Sequence, residues 1–365
     1  MTAGGPIRVL VVDDSALVRK LLFQVLTAQP DFEVALARSG AEALDLMASF
    51  RPDVVTLDFH MPQMDGLACL DRIMLERPCP VVMVSSATPG GAELTLEALR
   101  LGAVDFVAKP AGALSIRIDD LAVELVAKVR AAAAAKVRLT SRLRDRVRHR
   151  LGSAAAGAGQ PRGSARDTGG YAAGNGEGLV VVGTSTGGPP ALEALLTPLA
   201  PDFPWPIVIA QHMPRGFTGA LARRLDSLCA IHVVEVDAPA TLEPGFAYIG
   251  IGEADVVLTR RGGRLAALAA PPDPHYPWRP STDRLVRTAM KQLSSDRIVG
   301  VLMTGMGDDG ARAMTDLRAG GGRTIAEAES TAVVWGMPGE LVRAGGATVV
   351  APLDDIAARL SGMVR

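Results

Sequence analysis

Three residue types that together form a hydrolytic centre occur in the C-terminal half of the sequence. Ser185 lies in Gly-Thr-Ser-Thr-Gly, residues 183–187, which matches the G-x-S-x-G turn that exposes a nucleophilic hydroxyl between a strand and a helix. The pattern alone is also compatible with a glycine-rich phosphate loop or with a plain turn. Because a serine hydroxyl needs a base to take its proton, the choice depends on which residues accompany Ser185.

Five histidines are available as that base. His60 lies in the first half of the chain, and His149 lies in the segment between the halves. His232 opens an alternating strand, and His275 sits among prolines and is a weaker candidate. His212 directly follows the apolar run PIVIAQ, at the predicted carboxyl end of a strand. We therefore favour His212 as the base, with a loop histidine of no catalytic role as the alternative.

An acid must fix the tautomer of the imidazole, and two candidates follow a third apolar run. Asp308 and Asp309 come just after IVGVLMTG, and spacing does not choose between them. The glycines of TGMGDDG allow backbone N–H groups to approach a reacting oxygen, as an oxyanion hole requires. The phosphate-loop pattern G-x-x-x-x-G-K-[ST] is absent at Ser185. The sequence predicts a serine hydrolase whose Ser–His–Asp order differs from that of α/β-hydrolases.

A second set of polar side chains lies in the first half of the chain, where each member ends an apolar run. The set is Asp13, Asp14, Asp58, Ser85 and Lys109. The carboxyl ends of parallel strands meet on one edge of a sheet. Carboxylates gathered there suit Mg²⁺ rather than zinc, and a carboxylate beside Mg²⁺ and lysine can accept a phosphoryl group. The alternative is that each aspartate caps a helix, but five groups at the same relative place disfavour it.

Two α/β patterns must position these residues. Residues 1–128 and 179–365 both alternate short apolar runs with amphipathic stretches, which is typical of parallel sheets covered by helices. Residues 129–178 form a basic, helix-prone extension followed by a Gly/Ala-rich linker. Within the second half, residues 231–268 favour an antiparallel ribbon with a hairpin tip at Gly262–Gly263.

Composition limits the class of protein. The chain has 365 residues, of which 48% are hydrophobic and 21% charged, as expected for a globular protein of two domains. A formal net charge of −1 disfavours nucleic-acid or membrane-surface binding. We also expect no membrane insertion, because no apolar stretch approaches the ~20 residues of a spanning helix. The lack of a signal-peptide pattern and three scattered cysteines fit a cytoplasmic protein. Without a heptad run, we expect a monomer.

The segments VVDDS, LDFHMPQMDG, VSSAT and AKP resemble the receiver domain of two-component response regulators. The resemblance covers almost all of residues 7–128. It implies a flavodoxin-like fold, with a five-stranded parallel sheet and helices on both faces. It also implies that Asp58 is the phospho-acceptor and that Asp13 and Asp14 hold Mg²⁺ together with Asp58.

Three further roles in the first half follow only from this resemblance. It implies that Ser85 and Lys109 contact the phosphoryl oxygens and that Phe106 is the switch aromatic. His60 departs from the pattern, since many receivers carry an acidic residue there. This departure leaves the acceptor chemistry intact.

Five segments of the second half occur in the order of the catalytic domain of the CheB family, the chemotaxis protein-glutamate methylesterases. They are GTSTGGP, QHMPRGFTGALARRL, RPSTD, TGMGDDGA and WGMPGE. This resemblance implies a doubly wound, mainly parallel α/β domain with a small antiparallel ribbon. It implies Ser185 as nucleophile, His212 as base and Asp309, rather than Asp308, as the orienting acid. It further implies that Thr186 positions the histidine and that the Met306 N–H serves the oxyanion.

The function implied by the resemblance is hydrolysis of glutamate methyl esters on chemoreceptors, with possible deamidation of receptor glutamines by the same machinery. A chemotaxis histidine kinase would be the phosphodonor, Mg²⁺ would belong to the receiver, and the esterase would need no cofactor. The alternative is a non-enzymatic response regulator whose second domain binds a partner. Asp308, Pro190 and Trp278 depart from the family pattern. Asp308 adds a charge near the triad, whereas Pro190 and Trp278 bear on the choice of receptor.

Overall fold

The structure is a computed structural model that describes residues 5–86, 88–109, 118–135 and 178–364, and it contains two α/β units. Most of the predicted basic extension and linker lies outside the described residues. One helix of the first unit extends through Ala133, so the sequence-based boundary at residue 128 falls inside that helix.

The first unit is a five-stranded parallel sheet. Its strands are β1 (Ile7–Val12), β2 (Phe32–Ala37), β3 (Val54–Asp58), β4 (Val81–Ser86) and β5 (Asp105–Lys109). Its helices are α1 (Ala16–Thr27), α2 (Gly40–Ser49), α3 (Gly66–Glu76), α4 (Pro89–Leu101) and α5 (Ile118–Ala133). The strand order β2-β1-β3-β4-β5 is that of flavodoxin-like folds, which confirms the predicted fold of this half.

Dedicated capping residues begin these helices. Side-chain oxygens of Ser15, Ser39, Asp65 and Thr88 accept backbone N–H bonds in the first turns of α1 to α4. Asp13, Asp14 and Asp58 are therefore not the N-cap residues of these helices. This excludes the alternative that they serve only as helix caps.

The second unit contains two sheets. Its strands are β6 (Leu179–Thr184), β7 (Ile207–Gln211), β8 (His232–Val236), β9 (Ala240–Thr241), β10 (Phe246–Gly250), β11 (Asp255–Arg261), β12 (Arg264–Ala270), β13 (Ile298–Leu302), β14 (Arg323–Glu327) and β15 (Val349–Ala351). Its helices are α6 (Gly188–Leu196), α7 (Thr218–Leu228), α8 (Thr282–Gln292), α9 (Ala311–Ala319), α10 (Met337–Arg343) and α11 (Leu353–Met363), with a 3₁₀ turn at Ser295–Arg297.

The larger sheet has seven parallel strands in the order β15-β14-β13-β6-β7-β10-β8, and the smaller is antiparallel, β11-β12-β9. The hairpin tip at Gly262–Gly263 is confirmed. The expectation of an antiparallel ribbon throughout residues 231–268 is wrong, because β8 and β10 pair in parallel. β8 is an edge strand with alternating exposure, and such alternation looks the same in sequence whether an edge strand is parallel or antiparallel.

The central strands are buried on both faces. All residues of β6, β7 and β13 are buried, as expected when helices cover both sides of a parallel sheet.

Cys69 and Cys79 of the first unit are also buried, and burial raises the pKa of Cys69 to about 11 and that of Cys79 to about 12. Both are thus core residues, whereas Cys229 is half-buried. Across the described ranges, no helix combines the length and apolar character needed to cross a bilayer.

Candidate active site

Ser185, His212 and Asp309 follow three neighbouring strands of the seven-stranded sheet. β6 lies between β13 and β7 and pairs in parallel with both. Ser185 comes directly after β6, His212 directly after β7, and Asp309 in the loop after β13. The sequence-based prediction required these three strands to be neighbours, and the topology meets that requirement.

The Ser185 turn is held by backbone bonds and by close packing. Gly187 has the left-handed φ of 76° that an L-residue rarely adopts, and the Gly188 N–H donates to the Ser185 carbonyl at 2.8 Å. The same carbonyl accepts a bond from Nε2 of Gln211. A Cβ on Gly305 would lie 2.7 Å from the Ser185 Cβ, so only glycine fits beside the proposed nucleophile.

His212 bonds Asp309 through one ring nitrogen. Its Nε2 lies 2.7 Å from Oδ2 of Asp309, and its Nδ1 is buried without a hydrogen-bond partner among the described residues. The two side chains are 9% and 2% exposed. Asp308, by contrast, is exposed. The geometry therefore pairs the histidine with Asp309, which the sequence spacing alone left open.

Asp309 is held by the start of helix α8. It accepts bonds from the Ser281 hydroxyl at 2.9 Å and from the backbone N–H groups of Thr282 and Asp283 at 2.6 and 3.1 Å. Burial alone would raise its pKa, but the His212 bond and these backbone donors lower the pKa of Asp309 below its usual value. The carboxylate is therefore charged and fixed in orientation. The sequence analysis did not assign this role to Ser281 and Thr282, although an N-terminal S-T-D pattern is a helix-start signal.

The loop after β13 offers a free backbone donor. Gly305 N–H bonds the Val334 carbonyl, whereas no acceptor is recorded for the Met306 N–H within the described ranges. Gly307 has a φ of 80°, which turns the chain immediately after Met306. This arrangement fits the sequence-based expectation that the Met306 N–H serves an oxyanion.

The Thr186 side chain bonds to the first unit. Its hydroxyl donates to Oδ2 of Asp105, the first residue of β5, and its carbonyl accepts a bond from Thr304 Oγ1 at 2.9 Å. Phe106, which follows Asp105, packs on Phe217 with ring centroids 4.5 Å apart. The two units therefore meet beside Ser185, and the role of Thr186 toward the histidine stays a prediction.

Lys128 anchors this contact from inside the first unit. Its Nζ lies 2.6 Å from the Phe106 carbonyl and 3.3 Å from Asp105 Oδ1, and it sits 5.0 Å from the centroid of the Phe106 ring. Farther along the interface, Arg224 lies between Glu97 of α4 and Glu193 of α6 at 4.0 and 3.6 Å. The contact is thus a polar and aromatic interface rather than a wholly apolar one.

The acidic set of the first unit gathers at the carboxyl edge of its sheet. Carboxylate oxygens of Asp13, Asp14 and Asp58 all lie within 4.8 Å of one another. Lys109 Nζ reaches Asp58 at 2.7 Å and Asp13 at 3.1 Å. Burial raises the pKa of Asp13, with Lys109 acting in the opposite direction. The three carboxylates outnumber the single Lys109 ammonium, so the cluster carries excess negative charge. Their oxygens are the hard ligands that a divalent cation such as Mg²⁺ prefers.

Ser85 lies on the same edge but points toward helix α4. Its hydroxyl lies 3.3 Å from the Gly91 carbonyl and accepts a bond from Thr95 Oγ1 at 2.8 Å. Phe106 is 2% exposed and faces the second unit. Ser85 therefore bonds within the first unit, whereas Phe106 is part of the interface with the second unit.

Comparison with known proteins decides the family. The model of the response regulator receiver domain matches residues 9–118, and that of CheB methylesterase matches residues 180–360. A protein-glutamate methylesterase/protein-glutamine glutaminase 2 of Rhodopseudomonas palustris is 58% identical over 355 residues, covering 96% of each chain. The chain belongs to the CheB methylesterase family.

Two further relatives support this membership over different lengths. A protein-glutamate methylesterase/protein-glutamine glutaminase 3 of Rhodospirillum rubrum is 50% identical over 97% of this chain and 95% of its own. The crystal structure of the Thermotoga maritima CheB methylesterase catalytic domain matches with a TM-score of 0.50 and 36% identity. It covers 52% of this chain and 100% of that one.

Trp278, a departure from the CheB pattern that we connected with the choice of receptor, lies against the proposed base. The ring of Trp278 stacks on His212 with centroids 5.3 Å apart and planes 1° apart. Asp105, which contacts Thr186, received no role from the sequence. Neither contact has a local sequence signal, because each joins segments far apart along the chain.

Proposed function

We propose that this chain is a protein-glutamate methylesterase whose nucleophile, base and orienting acid are Ser185, His212 and Asp309. The observation that carries the proposal is the buried His212–Asp309 bond on the same sheet edge as Ser185. A pair of this kind serves to raise the basicity of an imidazole and to stabilise its protonated form beside a nucleophile. The names of the full-length relatives supply the substrate class.

The two ring nitrogens of His212 have separate roles in this proposal, which the bond to Asp309 supports. Nε2–H donates to Asp309, so Nδ1 takes the proton from the Ser185 hydroxyl as its oxygen attacks the ester carbonyl. The tetrahedral oxyanion accepts a bond from the Met306 N–H. The imidazolium then returns its proton to the departing methoxy oxygen, and methanol leaves.

The second half of the reaction uses the same groups. His212 takes a proton from water as the water oxygen attacks the acyl-serine. Collapse of this intermediate breaks the Ser185–acyl bond, and the serine oxygen recovers its proton from the imidazolium. The products are a free glutamate side chain and methanol. A glutamine amide passes through a tetrahedral intermediate of the same form and releases ammonia, and both activities appear in the names of the full-length relatives.

The first unit acts as the control element in this proposal. Asp58 is the phospho-acceptor, with a chemotaxis histidine kinase as the phosphodonor. Asp13, Asp14 and Asp58 would hold Mg²⁺, which when bound neutralises charge on the transferring phosphoryl group. In this proposal Lys109 contacts the phosphoryl oxygens from its position beside Asp58, and Ser85 contacts them after leaving its bonds to helix α4. The esterase reaction itself uses only protein groups in this scheme.

The interface beside Ser185 supports a specific mode of control. In the unphosphorylated state the Asp105–Thr186 bond and the Phe106–Phe217 contact hold the receiver over the catalytic edge. Phosphorylation replaces the single negative charge of the Asp58 carboxylate with the larger negative charge of an acyl phosphate and draws Ser85 toward the phosphoryl group. Movement of Phe106 with its strand then loosens both contacts and admits the receptor.

Methanol release from membranes that carry methyl-esterified chemoreceptors tests the proposal. The wild-type chain should release methanol and should do so faster with a phosphodonor, whereas the Ser185→Ala variant should release none above background. Unchanged release by Ser185→Ala would reject the assigned nucleophile. No release by the phosphorylated wild-type chain from any receptor preparation would favour the alternative, a receiver joined to a partner-binding module.

A further inference from the structure

Trp278 covers the face of the proposed base. The plane of its indole ring is parallel to that of the His212 imidazole to within 1°, at a centroid separation of 5.3 Å. This separation is in the range of offset stacking between aromatic rings. Asp309 fixes the edge of the imidazole through Nε2, whereas Trp278 fixes its plane.

The indole packs on the turn after Met306, and its segment leads into the start of helix α8. A Cβ on Gly307 would lie 2.4 Å from Cζ2 of Trp278, so the turn after Met306 packs directly on the indole. Three residues beyond Trp278, Ser281 begins the segment whose hydroxyl and backbone groups bond Asp309. The indole, the oxyanion loop and the orienting acid therefore form one packed unit around His212.

We propose that Trp278 is a positioning residue for the base and stabilises the imidazolium that forms during the reaction. This inference rests on the proposed function. The π face of an indole attracts a cation within about 6 Å of its centroid, and His212 gains a positive charge when it takes the serine or water proton. The interaction is therefore stronger in the transition state than in the ground state, and its loss lowers kcat rather than raising KM.

The test compares Trp278→Ala and Trp278→Phe in the full chain, assayed with a phosphodonor by methanol release from methylated receptor membranes. Trp278→Ala should lower kcat roughly 3- to 30-fold, as a cation–π contact of ordinary strength predicts, with KM changed less than about twofold. Trp278→Phe restores a stacking ring and should recover most of the loss. His275→Ala is the matched control, because this histidine is on the same loop, is 89% exposed and bonds only Asp273 within the described residues.

A spectroscopic measurement separates this inference from the proposed function. In the full chain labelled with ¹³C-histidine, the His212 ring C–H signal is assigned by its loss in His212→Gln. The ring current of the indole should place that signal upfield of its position in Trp278→Ala, with or without turnover. A KM increase at constant kcat, an equal loss in Trp278→Phe and Trp278→Ala, or an unshifted His212 signal would each overturn the assignment. Failure of Ser185→Ala to lose activity would instead overturn the proposed nucleophile.

Discussion

The Thr186 hydroxyl donates a hydrogen bond to Asp105. This bond joins the residue after the proposed nucleophile to the first residue of strand β5, next to Phe106. Asp105 also faces the buried ammonium of Lys128, so this carboxylate connects the receiver interior to the catalytic edge. The Asp105 side chain is thus one of the contacts by which the receiver would hold the site closed, together with Phe106 on Phe217.

Removal of the Asp105 carboxylate should raise activity in the absence of a phosphodonor. Because a hydrogen bond to a charged group contributes about 1.5–3 kcal/mol, we expect Asp105→Ala to increase basal methanol release about tenfold or more. Asp31→Ala is the control, since Asp31 pairs with Arg130 at the exposed far side of the receiver. Equal basal rates in Asp105→Ala and Asp31→Ala would contradict a closing role for Asp105.

Loss of the phospho-acceptor should separate control from chemistry. Asp58→Asn should keep the basal rate of methanol release but lose its increase with phosphodonor and Mg²⁺, because the amide cannot accept the phosphoryl group. In the double variant with Asp105→Ala, the raised basal rate should persist. If phosphodonor still accelerates Asp58→Asn, another residue is the acceptor.

The orienting acid should affect the rate far more than its exposed neighbour does. Asp309→Asn removes the charge that stabilises the His212 imidazolium. It also disfavours the tautomer in which Nε2 carries the proton and Nδ1 is available as the base. We therefore expect kcat to fall about 10⁴-fold, as in other Ser-His-Asp centres. Asp308→Asn should change kcat much less, because Asp308 is exposed and the imidazole bonds Asp309 instead. Comparable losses in the two variants would reject the assignment of Asp309.

The same carboxylate should make stability depend on acid pH. Its pKa in the folded chain is lowered below the usual value of about 3.9. A carboxyl of this kind stabilises the fold above the unfolded pKa, and this contribution is lost as the pH falls through the lowered value. Calorimetry from pH 5 to pH 3 should therefore show the Tm advantage of the wild type over Asp309→Asn shrinking. A constant advantage would argue against the lowered pKa.

Close packing at the nucleophile predicts a strong effect of a single methyl group. In Gly305→Ala the new Cβ would lie 2.4 Å from Met337 Sδ and 2.7 Å from the Ser185 Cβ. The serine must shift, so kcat should fall at least 100-fold, because a displacement of about 1 Å costs that much. Gly362→Ala, in helix α11 with no atom within 4 Å, should leave kcat unchanged and raise stability by about 0.5–1 kcal/mol. Normal kcat in Gly305→Ala would show that the site tolerates displacement of Ser185.

The sequence alone determined where the main buried strands lie and which kinds of polar side chain follow them. Buried parallel strands are written in nearly continuous apolar runs, so the strands that precede Ser185, His212 and Asp58 were predictable, and so was the edge on which their side chains gather. The sequence-based prediction extended the antiparallel ribbon too far. An edge strand such as β8 shows the same alternation of buried and exposed residues whether it pairs in parallel or antiparallel.

The tertiary structure decided which side chains meet. Spacing could not choose Asp309 over Asp308, because the choice depends on which carboxylate turns inward to the donors at the start of helix α8. The contact of Trp278 with His212 joins residues 66 positions apart in the chain. The bond between Asp105 and Thr186 joins residues 81 positions apart. Local patterns record the burial and period of each segment, whereas such contacts arise only when separate segments pack together, and they leave no mark in the sequence of either segment.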